Sequence, residues 1–470
     1  MNFDPAFLDY LKQAAGESNV PAVISAMSEP ASVSVRLNPF KLRYDEAGSL
    51  FEGKGEAVPW NEYGFFLPER PQFTLDPLMH AGVYYVQDSS AMFPGFVLRS
   101  AVRTLRQENP SSGLRVLDLC AAPGGKTTDA ATSLRELCGD DFLLVSNEIM
   151  KQRAAVLADN AGVWGEPSVA VTSADPAAFA GLPGFFDIIV ADVPCSGEGM
   201  FRKDEEAVAQ WSVENVELCQ ARQRRIVADV WPALAEGGFL VYSTCTFNRK
   251  ENDDNVAWIA EALGAEVVEI EADFDGIISS EYGGALIPGL VKGEGQYCSL
   301  LRKTSSAPVW RPSFGKIRKN PKADYGKSSG LLPKELKSGL SGLFDRNIEL
   351  LEKNGMIIAV PEFLFRHLPD IECLRPMMRG TAAGQIKGRD LVPDADLALS
   401  IILAEDAFPK ADLSLQEARA FLHRDAVLVP DAPRGIVCVT YLGHPLGFVK
   451  NLGNRCNSLH PQHRRIRMDI

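Results

Sequence analysis

The segment Val116-Leu117-Asp118-Leu119-Cys120-Ala121-Ala122-Pro123-Gly124-Gly125-Lys126-Thr127-Thr128 decides the fold of this chain. Its apolar start predicts the end of a buried strand, its Pro-Gly-Gly predicts a turn, and the residues after the turn predict a helix. Glycines let the backbone approach a ligand closely, and a helix N-terminus favours an anionic group. The segment lacks both the Gly-x-Gly-x-x-Gly spacing of a dinucleotide site and the first glycine of a P-loop. The alternative is a glycine turn that serves only packing.

Strands and helices alternate around this segment, from Leu114 to about Lys303. The predicted strands are Leu114–Leu119, Phe142–Asn147, Ser168–Thr172, Phe186–Ala191, Gly238–Tyr242 and Ser299–Arg302. The predicted helices include Thr127–Leu137, Met150–Ala161 and Asn215–Ala235. This order is typical of an α/β fold with a doubly wound parallel sheet.

The flanking regions have a different pattern. Residues 1–80 predict a small α+β unit, with helices at Pro5–Ala15 and Val20–Met27 and a strand at Ala31–Leu37. Residues 304–330 are rich in Pro, Gly, Ser and Lys, which indicates a linker. In residues 331–470 we predict the helices Pro333–Asn354 and Ser414–Leu422 and the strands Met356–Val360, Ala426–Leu428, Ile436–Tyr441 and Pro445–Lys450.

Composition predicts a cytoplasmic enzyme of several domains, since 470 residues exceed one typical domain. The N-terminus has no signal-peptide pattern, and no apolar run is long enough to span a bilayer, so no membrane partner is expected. The nine cysteines are odd in number and lack zinc spacing, which favours reduced thiols and no metal.

Charge gives two opposing indications about nucleic acid. The net charge of −13 argues against such a partner. Locally, however, the stretch from Arg302 to Lys327 carries eight basic residues and one acid, with Trp310, Phe314 and Tyr325 among them. The stretch from Lys450 to the end carries five basic residues and one acid. Basic residues follow phosphates and aromatic rings stack on unpaired bases, but a solvated linker and tail would have the same composition.

Three acids stand at the ends of successive predicted strands: Glu148, Asp175 and Asp192. A single acid in this position is most often a helix cap. Three of them, with a glycine turn after the first strand, favour an adenosine-containing cofactor whose ribose hydroxyls bind Glu148.

Two cysteines follow predicted strands directly. Cys195 lies in Asp192-Val193-Pro194-Cys195-Ser196-Gly197-Glu198-Gly199-Met200, and Cys245 lies in Val241-Tyr242-Ser243-Thr244-Cys245-Thr246-Phe247. Ligands bind at the carboxyl ends of parallel strands, so both thiols are predicted to face one crevice. The other seven cysteines are interpreted as small buried apolar residues.

These motifs resemble the NOL/NOP/Sun family of S-adenosylmethionine-dependent RNA cytosine-C5 methyltransferases. The resemblance rests on three segments, Asp118 to Thr127, Asp192 to Gly199 and Ser243 to Thr246, and it extends to Gly82–Ser90 and to Val35-Arg36-Leu37-Asn38-Pro39. It implies a Rossmann-like methyltransferase domain at 81–303 behind an RNA-binding-like N-terminal domain at 1–80.

The resemblance also implies residue roles. Cys245 matches the nucleophile of the RNA enzymes, which adds to C6 of cytosine so that C5 can take a methyl group. Cys195 matches the cysteine that assists product release, and Asp192 is placed to contact N3 of the base. In the DNA enzymes the Pro-Cys cysteine is instead the nucleophile, so the presence of both favours RNA. The implied cofactor contacts are Cys120, Ala121, Ala122, Pro123, Gly124, Gly125, Lys126, Glu148, Arg153, Asp175 and Asp192. Lys126 is also a possible catalytic residue, although it could cap its helix, and Arg153 could be a surface arginine.

The C-terminal region indicates which class of RNA is the substrate. Lys387–Pro393 and Val439–Lys450 resemble the tail of bacterial members that methylate 16S ribosomal RNA. That tail implies a PUA-like RNA-binding module at about 380–470, and hence 16S ribosomal RNA or the small ribosomal subunit as partner of a monomeric enzyme. The ending Asn457–Pro461 departs from the aromatic-rich version of this tail.

Three other functions stay open at this point. A transfer RNA cytosine-C5 methyltransferase would share the chemistry. A non-catalytic RNA-binding ribosome assembly factor would share the fold, but it has no need of Asp192, Cys195 and Cys245. A small-molecule methyltransferase would have no use for the basic linker and the C-terminal module.

Overall fold

The computed structural model describes residues 3–42, 55–310, 329–332, 334–388 and 390–468. Of the predicted basic stretch from Arg302 to Lys327, the part from Arg311 onward lies outside these residues, as does Arg389. Within the described ranges, every helix is too short or too polar to cross a membrane.

The helices of the described residues are α1 Pro5–Ala15, α2 Val20–Met27, α3 Pro77–His80, α4 Phe93–Glu108, α5 Gly125–Cys138, α6 Lys151–Trp164, α7 Glu205–Gln210, α8 Val213–Val230, α9 Asp253–Leu263, α10 Lys334–Leu340, α11 Glu362–Ile371, α12 Ala395–Leu399 and α13 Leu415–His423. The strands are β1 Val33–Leu37, β2 Glu56–Val58, β3 Asn61–Leu67, β4 Tyr84–Val86, β5 Leu114–Asp118, β6 Phe142–Asn147, β7 Val169–Thr172, β8 Phe186–Asp192, β9 Leu234–Thr244, β10 Ala265–Val268, β11 Ile277–Ser279, β12 Gly284–Leu286, β13 Gln296–Lys303, β14 Ser329–Leu331, β15 Ile348–Lys353, β16 Met356–Pro361, β17 Met378–Arg379, β18 Thr381–Lys387, β19 Asp390–Pro393, β20 Lys410–Asp412, β21 Gly435–Tyr441, β22 His444–Asn451 and β23 Cys456–Ser458.

The central sheet carries the site. Its strand order is β11-β12-β13-β9-β8-β5-β6-β7-β17, and β10 pairs with β13. The five central strands β7, β6, β5, β8 and β9 are parallel, which confirms the predicted doubly wound sheet. The strand predicted at Ser299–Arg302 is β13, and it runs antiparallel to β9. The expectation of a parallel sheet is therefore wrong at that edge, where β11, β12 and β13 form an antiparallel meander.

Burial on both faces explains why these strands form the centre of the sheet. Every residue of β6 and β7 is buried, as expected for parallel strands covered by helices. Neighbouring residues of a strand point to opposite faces. Thus Leu117 and Ile189 pack in one hydrophobic cluster, and Val116 and Ile188 pack in a second.

The predicted helix Asn215–Ala235 is corrected at its C-terminal end. The helix α8 ends at Val230, and Trp231–Ala233 form a short 3₁₀ turn that contains Pro232. Because proline has no backbone N–H, it cannot continue the helix, and β9 begins at Leu234.

The N-terminal residues form an antiparallel sheet of order β2-β3-β1-β4. Its last strand, Tyr84–Val86, lies beyond residue 80, where the sequence predicts the first unit to end. Asp4 accepts a hydrogen bond from the Ala6 N–H and so caps α1. The Phe7 ring of α1 packs 5.2 Å from that of Phe201, which joins this helix to the core of the central domain.

The C-terminal region forms two further sheets, β14-β15-β16-β18-β19 and β20-β21-β22-β23. The predicted helix Pro333–Asn354 is wrong over most of its length, because only Lys334–Leu340 is helical and Ile348–Lys353 is the strand β15. Asn354 and Gly355 both have positive φ, 53° and 79°, and make the two-residue turn between β15 and β16. The predicted strand Ala426–Leu428 is also wrong, since these residues lie in a loop.

The N-terminal sheet and the last C-terminal sheet share one hydrophobic core. Val35 and Leu37 of β1 pack in the same cluster as Phe421 of α13 and Val437 of β21. The Arg419 Nε also donates a 2.9 Å hydrogen bond to the Leu75 carbonyl. The two ends of the chain therefore close against each other beside the central domain.

Candidate active site

The two predicted cysteines lie side by side at the carboxyl end of the central sheet. The strands β8 and β9 are parallel neighbours, with Asp192 opposite Ser243. Cys195 follows β8 and Cys245 follows β9, and their sulfur atoms are 3.0 Å apart. Both residues are half-buried. The structure thus places both thiols in one crevice, while their roles stay predictions.

The two sulfurs share one hydrogen bond, in which either thiol can be the donor. The hydrogen bond to Cys245 raises the pKa of the Cys195 thiol well above its usual range, and burial and the charges of Cys245 and Glu251 raise it further. A thiolate is the reactive form of cysteine, and the raised pKa of Cys195 disfavours that form at this sulfur.

An ion pair between Lys126 and Asp192 lies next to the thiols. The Lys126 Nζ is 2.9 Å from Asp192 Oδ2. The other oxygen, Oδ1, accepts from Ser243 Oγ at 2.8 Å and from Gln296 Nε2 at 3.0 Å. Burial lowers the pKa of Lys126, but the charge and hydrogen bond of Asp192 and the charge of Cys245 outweigh it, so the pKa is raised. Lys126 is therefore a cation in this crevice and does not cap its helix through its side chain.

Side chains of α6 hydrogen-bond the backbone of the predicted cofactor turn. Gly124 has φ 119°, a conformation that favours glycine, and α5 begins at Gly125. The Ala122 carbonyl accepts from Arg153 at 3.0 Å, and the Pro123 carbonyl accepts from Asn160 at 2.8 Å. Arg153 is an exposed arginine that hydrogen-bonds this turn, and its role as a cofactor contact stays a prediction.

Arg36 and Asn38, in the segment Val35-Arg36-Leu37-Asn38-Pro39, support the same turn from the N-terminal sheet. Arg36 is fully buried, and its guanidinium donates to the Gly125 carbonyl at 3.1 Å and to Gln87 Oε1 at 3.0 Å. Asn38 donates to the Trp164 carbonyl at 3.0 Å at the end of α6. The N-terminal sheet therefore holds both helices that flank the turn.

The three strand-end acids have different environments. Glu148 is buried, accepts from the Met150 N–H at 2.9 Å and pairs with Arg153 at 3.2 Å. Asp192 makes the pair with Lys126 described above. Asp175 is exposed and accepts from the Ala177 N–H at 2.9 Å, so in the structure it caps the 3₁₀ helix Pro176–Gly181.

Several observations fit an adenosine-containing cofactor at this edge. Asp118 is buried, and its Oδ1 has no hydrogen-bond partner among the described residues, although Thr127 donates to its Oδ2 at 2.6 Å. Burial raises the pKa of Asp118 to about 7. Beside Glu148, the side chains of Ile149 and Met150 are exposed and offer an apolar surface to a ring. The crevice thus has the carboxylate of Glu148 beside an apolar surface, which are the groups that would contact the ribose and the ring of such a cofactor.

Cys120 is half-buried and packs against the hydrophobic cluster that contains Leu117 and Ile189. Burial raises the pKa of its thiol, and the charges of Asp192, Asp118 and Glu148 raise it further. The thiol therefore stays protonated, which suits a contact residue. Of the other cysteines interpreted as buried, Cys138, Cys219, Cys298 and Cys438 are buried, Cys456 is half-buried, and Cys373 is exposed, so the interpretation is wrong for Cys373. Within the described part of the chain, no group of three or more potential metal ligands occurs.

Two buried glutamates that sequence reasoning missed hold the cysteine loops together. Glu251 accepts from the Ser196 N–H at 3.0 Å, from Asn248 Nδ2 at 2.9 Å and from Gln223 Nε2 at 2.7 Å. Glu198 accepts from the Phe247 and Asn248 N–H groups at 2.6 and 3.0 Å. In the sequence, Glu251 stands in the run Arg249-Lys250-Glu251-Asn252-Asp253-Asp254, whose composition is that of a solvated surface.

Removing the Glu251 carboxylate should loosen these loops. We expect Glu251→Ala to lower the free energy of unfolding by about 3 kcal/mol, because three buried donors lose a charged partner. Urea denaturation measures this loss, and hydrogen exchange should show a faster-exchanging Ser196 amide. Glu261→Ala, at an exposed position of α9, is the matched control. Equal stability of the two variants would contradict the role given to Glu251.

Comparison with known proteins agrees with this geometry. The family model described as 16S rRNA methyltransferase RsmB/F matches residues 105–302. The N-terminal domain of 16S rRNA methyltransferase RsmF matches residues 3–89, and the methyltransferase RsmF PUA domain matches residues 408–466.

Full-length relatives and solved structures extend the match. The chain is 30% identical to ribosomal RNA small subunit methyltransferase F of Salmonella paratyphi A and of Salmonella agona, over 98% of this chain and 96% of each relative. The crystal structure of PH0851 is similar in fold, with a TM-score of 0.56 at 20% identity over 64% of this chain and 66% of that one. A methyltransferase homologue from Pyrococcus horikoshii has a TM-score of 0.53 at 24% identity, over 64% of this chain and 99% of that one.

Fold and site together define an S-adenosylmethionine-dependent methyltransferase. The match over nearly the whole chain is more specific. This chain belongs to the RsmB/F family of 16S rRNA methyltransferases. The predicted PUA-like module and the predicted fold class are confirmed.

Proposed function

We propose that this protein transfers a methyl group from S-adenosylmethionine to C5 of a specific cytosine in 16S ribosomal RNA through a covalent bond between Cys245 and C6 of the base. The observation that carries this proposal is the 3.0 Å approach of the Cys195 and Cys245 sulfurs beside the Lys126–Asp192 pair. A thiol pair next to a lysine–carboxylate pair supplies both a nucleophile and a proton source for the pyrimidine ring.

The first step is addition of the Cys245 thiolate to C6 of cytosine. The sulfur–C6 bond forms, and the electron pair of the C5–C6 double bond moves towards C5 and N3. Asp192 is the group proposed to contact N3. It accepts three hydrogen bonds and must gain a proton before it can donate to N3, and Lys126, 2.9 Å away, is the proposed source.

S-adenosylmethionine, when bound, supplies the electrophilic methyl group that C5 takes. The residues proposed to hold it are Cys120 to Lys126, Glu148, Arg153, Asp175 and Asp192. Because Glu148 and Arg153 are paired and Arg153 also binds the turn, these two residues keep the ribose side of the crevice in place.

Release of the product requires a base to take the C5 proton. The electron pair of the C5–H bond then restores the C5–C6 double bond, the Cys245 sulfur leaves C6 with the electrons of its bond, and N3 returns its proton to the Asp192–Lys126 pair. The Cys195 thiol, whose sulfur is 3.0 Å from that of Cys245 and whose pKa is raised, is the group proposed to donate a hydrogen bond to the departing thiolate.

The proposed organisation follows from these roles. The N-terminal RNA-binding-like domain extends past residue 80 to about residue 89, because β4 belongs to its sheet. The methyltransferase domain follows to residue 303, the basic linker from 304 ends before β14 at Ser329, and the C-terminal region carries the PUA-like module from about 380. The enzyme is proposed to act as a cytoplasmic monomer on 16S ribosomal RNA or the small subunit. The target cytosine must be unpaired or flipped for Cys245 to reach C6.

Methyl transfer from labelled S-adenosylmethionine to three unmodified substrates tests this function. The substrates are naked 16S ribosomal RNA, assembled small subunits and bulk transfer RNA, each digested to nucleosides after reaction. We expect label in 5-methylcytidine from one ribosomal substrate, and ribosomal RNA already methylated by this enzyme is the control. Label in transfer RNA alone would contradict the substrate, and no label in any substrate would contradict the activity.

A further inference from the structure

Gln296 is a buried residue of β13 that contacts the carboxylate of Asp192. It is 1% exposed, and its Nε2 donates a 3.0 Å hydrogen bond to Asp192 Oδ1. Ser243 of β9 is fully buried and donates to the same oxygen at 2.8 Å. Because neither side chain is accessible to an RNA base, any effect of Gln296 on the reaction has to act through Asp192.

The antiparallel meander holds Gln296 in place. The strand β13 pairs with β9 on one side and with β12 on the other, where Gln296 lies opposite Leu286. The Gly295 N–H donates to Ser90 Oγ at 3.1 Å. Gly295 has φ 105°, and a Cβ at this position would lie 2.2 Å from the Phe247 ring, so the site requires glycine. The backbone that carries Gln296 is therefore fixed beside the loop that contains Phe247.

The two donors occupy both acceptor positions of Asp192 Oδ1. Each carboxylate oxygen has about two such positions, and Ser243 and Gln296 take those of Oδ1. Within the described part of the chain, the other oxygen, Oδ2, has Lys126 Nζ as its partner, at 2.9 Å. The Asp192 side chain is 25% exposed. Oδ2 is therefore the oxygen with room for a further partner in the crevice.

This arrangement determines which oxygen of Asp192 takes a proton. A proton from Lys126 arrives at Oδ2, because that is the oxygen Lys126 contacts. Oδ1 has no acceptor position left for it. Without the Gln296 donor, one position of Oδ1 is vacant, and the carboxyl group can hold its proton there, on the side of the strands. The carboxyl group also loses one of the two contacts that fix its plane.

We propose that Gln296 is a positioning residue, which occupies Asp192 Oδ1 and so keeps the proton of this carboxyl group on Oδ2, from where it passes to N3 of cytosine. During addition the proton moves from Lys126 Nζ to Oδ2 and then to N3, and during release it returns by the same route. The Gln296 amide keeps both of its hydrogens throughout. This role rests on the proposed function and deepens it.

The test compares full-length wild type with Gln296→Met and Gln296→His. Methionine is similar in length to glutamine and has no donor, whereas histidine keeps a ring N–H. Methylation is measured in single turnover, with enzyme in excess over the ribosomal substrate that wild type methylates. Gln385→Met, at an exposed position of β18, is the matched control.

The rate constant at saturating enzyme is expected to fall about twentyfold in Gln296→Met, since one hydrogen bond to a charged group is lost. The enzyme concentration that gives half of this rate should change by less than about twofold, because Gln296 does not contact RNA. Gln296→His should recover to within about threefold of wild type, because the donor is restored. A merely structural loss would reduce the amount of active enzyme. It would raise the half-saturating concentration and leave the rate constant at saturation unchanged.

Two results overturn the proposal. One is an unchanged rate constant in Gln296→Met. The other is a Gln296→His variant as slow as Gln296→Met, because packing and not the donor would then explain the loss. If Gln296→Met does not fold, Ser243→Ala removes the other donor to Oδ1 and carries the same expected fall, and an unchanged rate constant there overturns the proposal as well.

Failure of the proposed function gives a different result. A wild type that makes no 5-methylcytidine refutes that function, and NMR of the Gln296 side-chain amide then tests the contact by itself. The amide signal should move in Asp192→Ala and stay in place in Asp273→Ala, whose position is exposed. A signal that stays in place in Asp192→Ala overturns the positioning of Asp192 by Gln296.

Discussion

Cys245→Ala is expected to abolish methyl transfer, with a loss of at least about a thousandfold in kcat. Without the thiolate no bond forms at C6, and C5 of cytosine then stays too poor a nucleophile to take the methyl group. The assay is formation of labelled 5-methylcytidine on the ribosomal substrate of wild type. Cys373→Ala is the control, because Cys373 is exposed and lies on the C-terminal side of α11, away from β8 and β9.

The reverse result would reassign the two cysteines. Ready turnover by Cys245→Ala, with loss of activity in Cys195→Ala, would make Cys195 the nucleophile, as in the DNA enzymes. The raised pKa of the Cys195 thiol, which its hydrogen bond to Cys245 and its burial cause, argues against this outcome.

Cys195→Ala is expected to accumulate a covalent protein–RNA adduct. The variant keeps Cys245 and the Lys126–Asp192 pair, so addition to C6 and methyl transfer proceed. It lacks the thiol that donates to the departing sulfur, so release fails. The adduct should survive denaturing electrophoresis as a band of lower mobility that contains both RNA and protein.

The double variant Cys195→Ala/Cys245→Ala is the control for this adduct. It should give no slow band, since the sulfur that forms the bond is missing. Normal turnover by Cys195→Ala would refute a role in release. A slow band that persists in the double variant would assign the bond to another residue.

The central sheet could be predicted from the sequence because its strands are buried on both faces. Runs such as Phe142–Asn147 are mostly apolar and do not alternate with polar residues, so they are easily recognised in the sequence. The predicted bounds of this strand are those observed. The placement of Cys195 and Cys245 followed from the same rule, since parallel strands end at one edge.

The parts that could not be predicted depend on contacts between distant segments. Glu251 accepts from Ser196 and Gln223, which lie 55 and 28 residues away in the sequence, and no local pattern marks such a partner. Gln296 contacts Asp192 from β13, an antiparallel strand that was expected to be parallel. The strand β15, by contrast, could have been predicted from the sequence. The pair Asn354-Gly355 is a turn signal that indicates a hairpin.

The core shared by the two ends of the chain has a consequence for biosynthesis. Val35 and Leu37 leave the ribosome nearly four hundred residues before Phe421 and Val437, which complete their packing. During translation that apolar face of the N-terminal sheet stays uncovered until the C-terminal residues are made. In that time it is exposed to chaperones and to aggregation. A chain cut short before Leu413 would keep the catalytic thiols and still carry this unfinished face. Quality control can thus recognise an incomplete enzyme by its first strands rather than by its last.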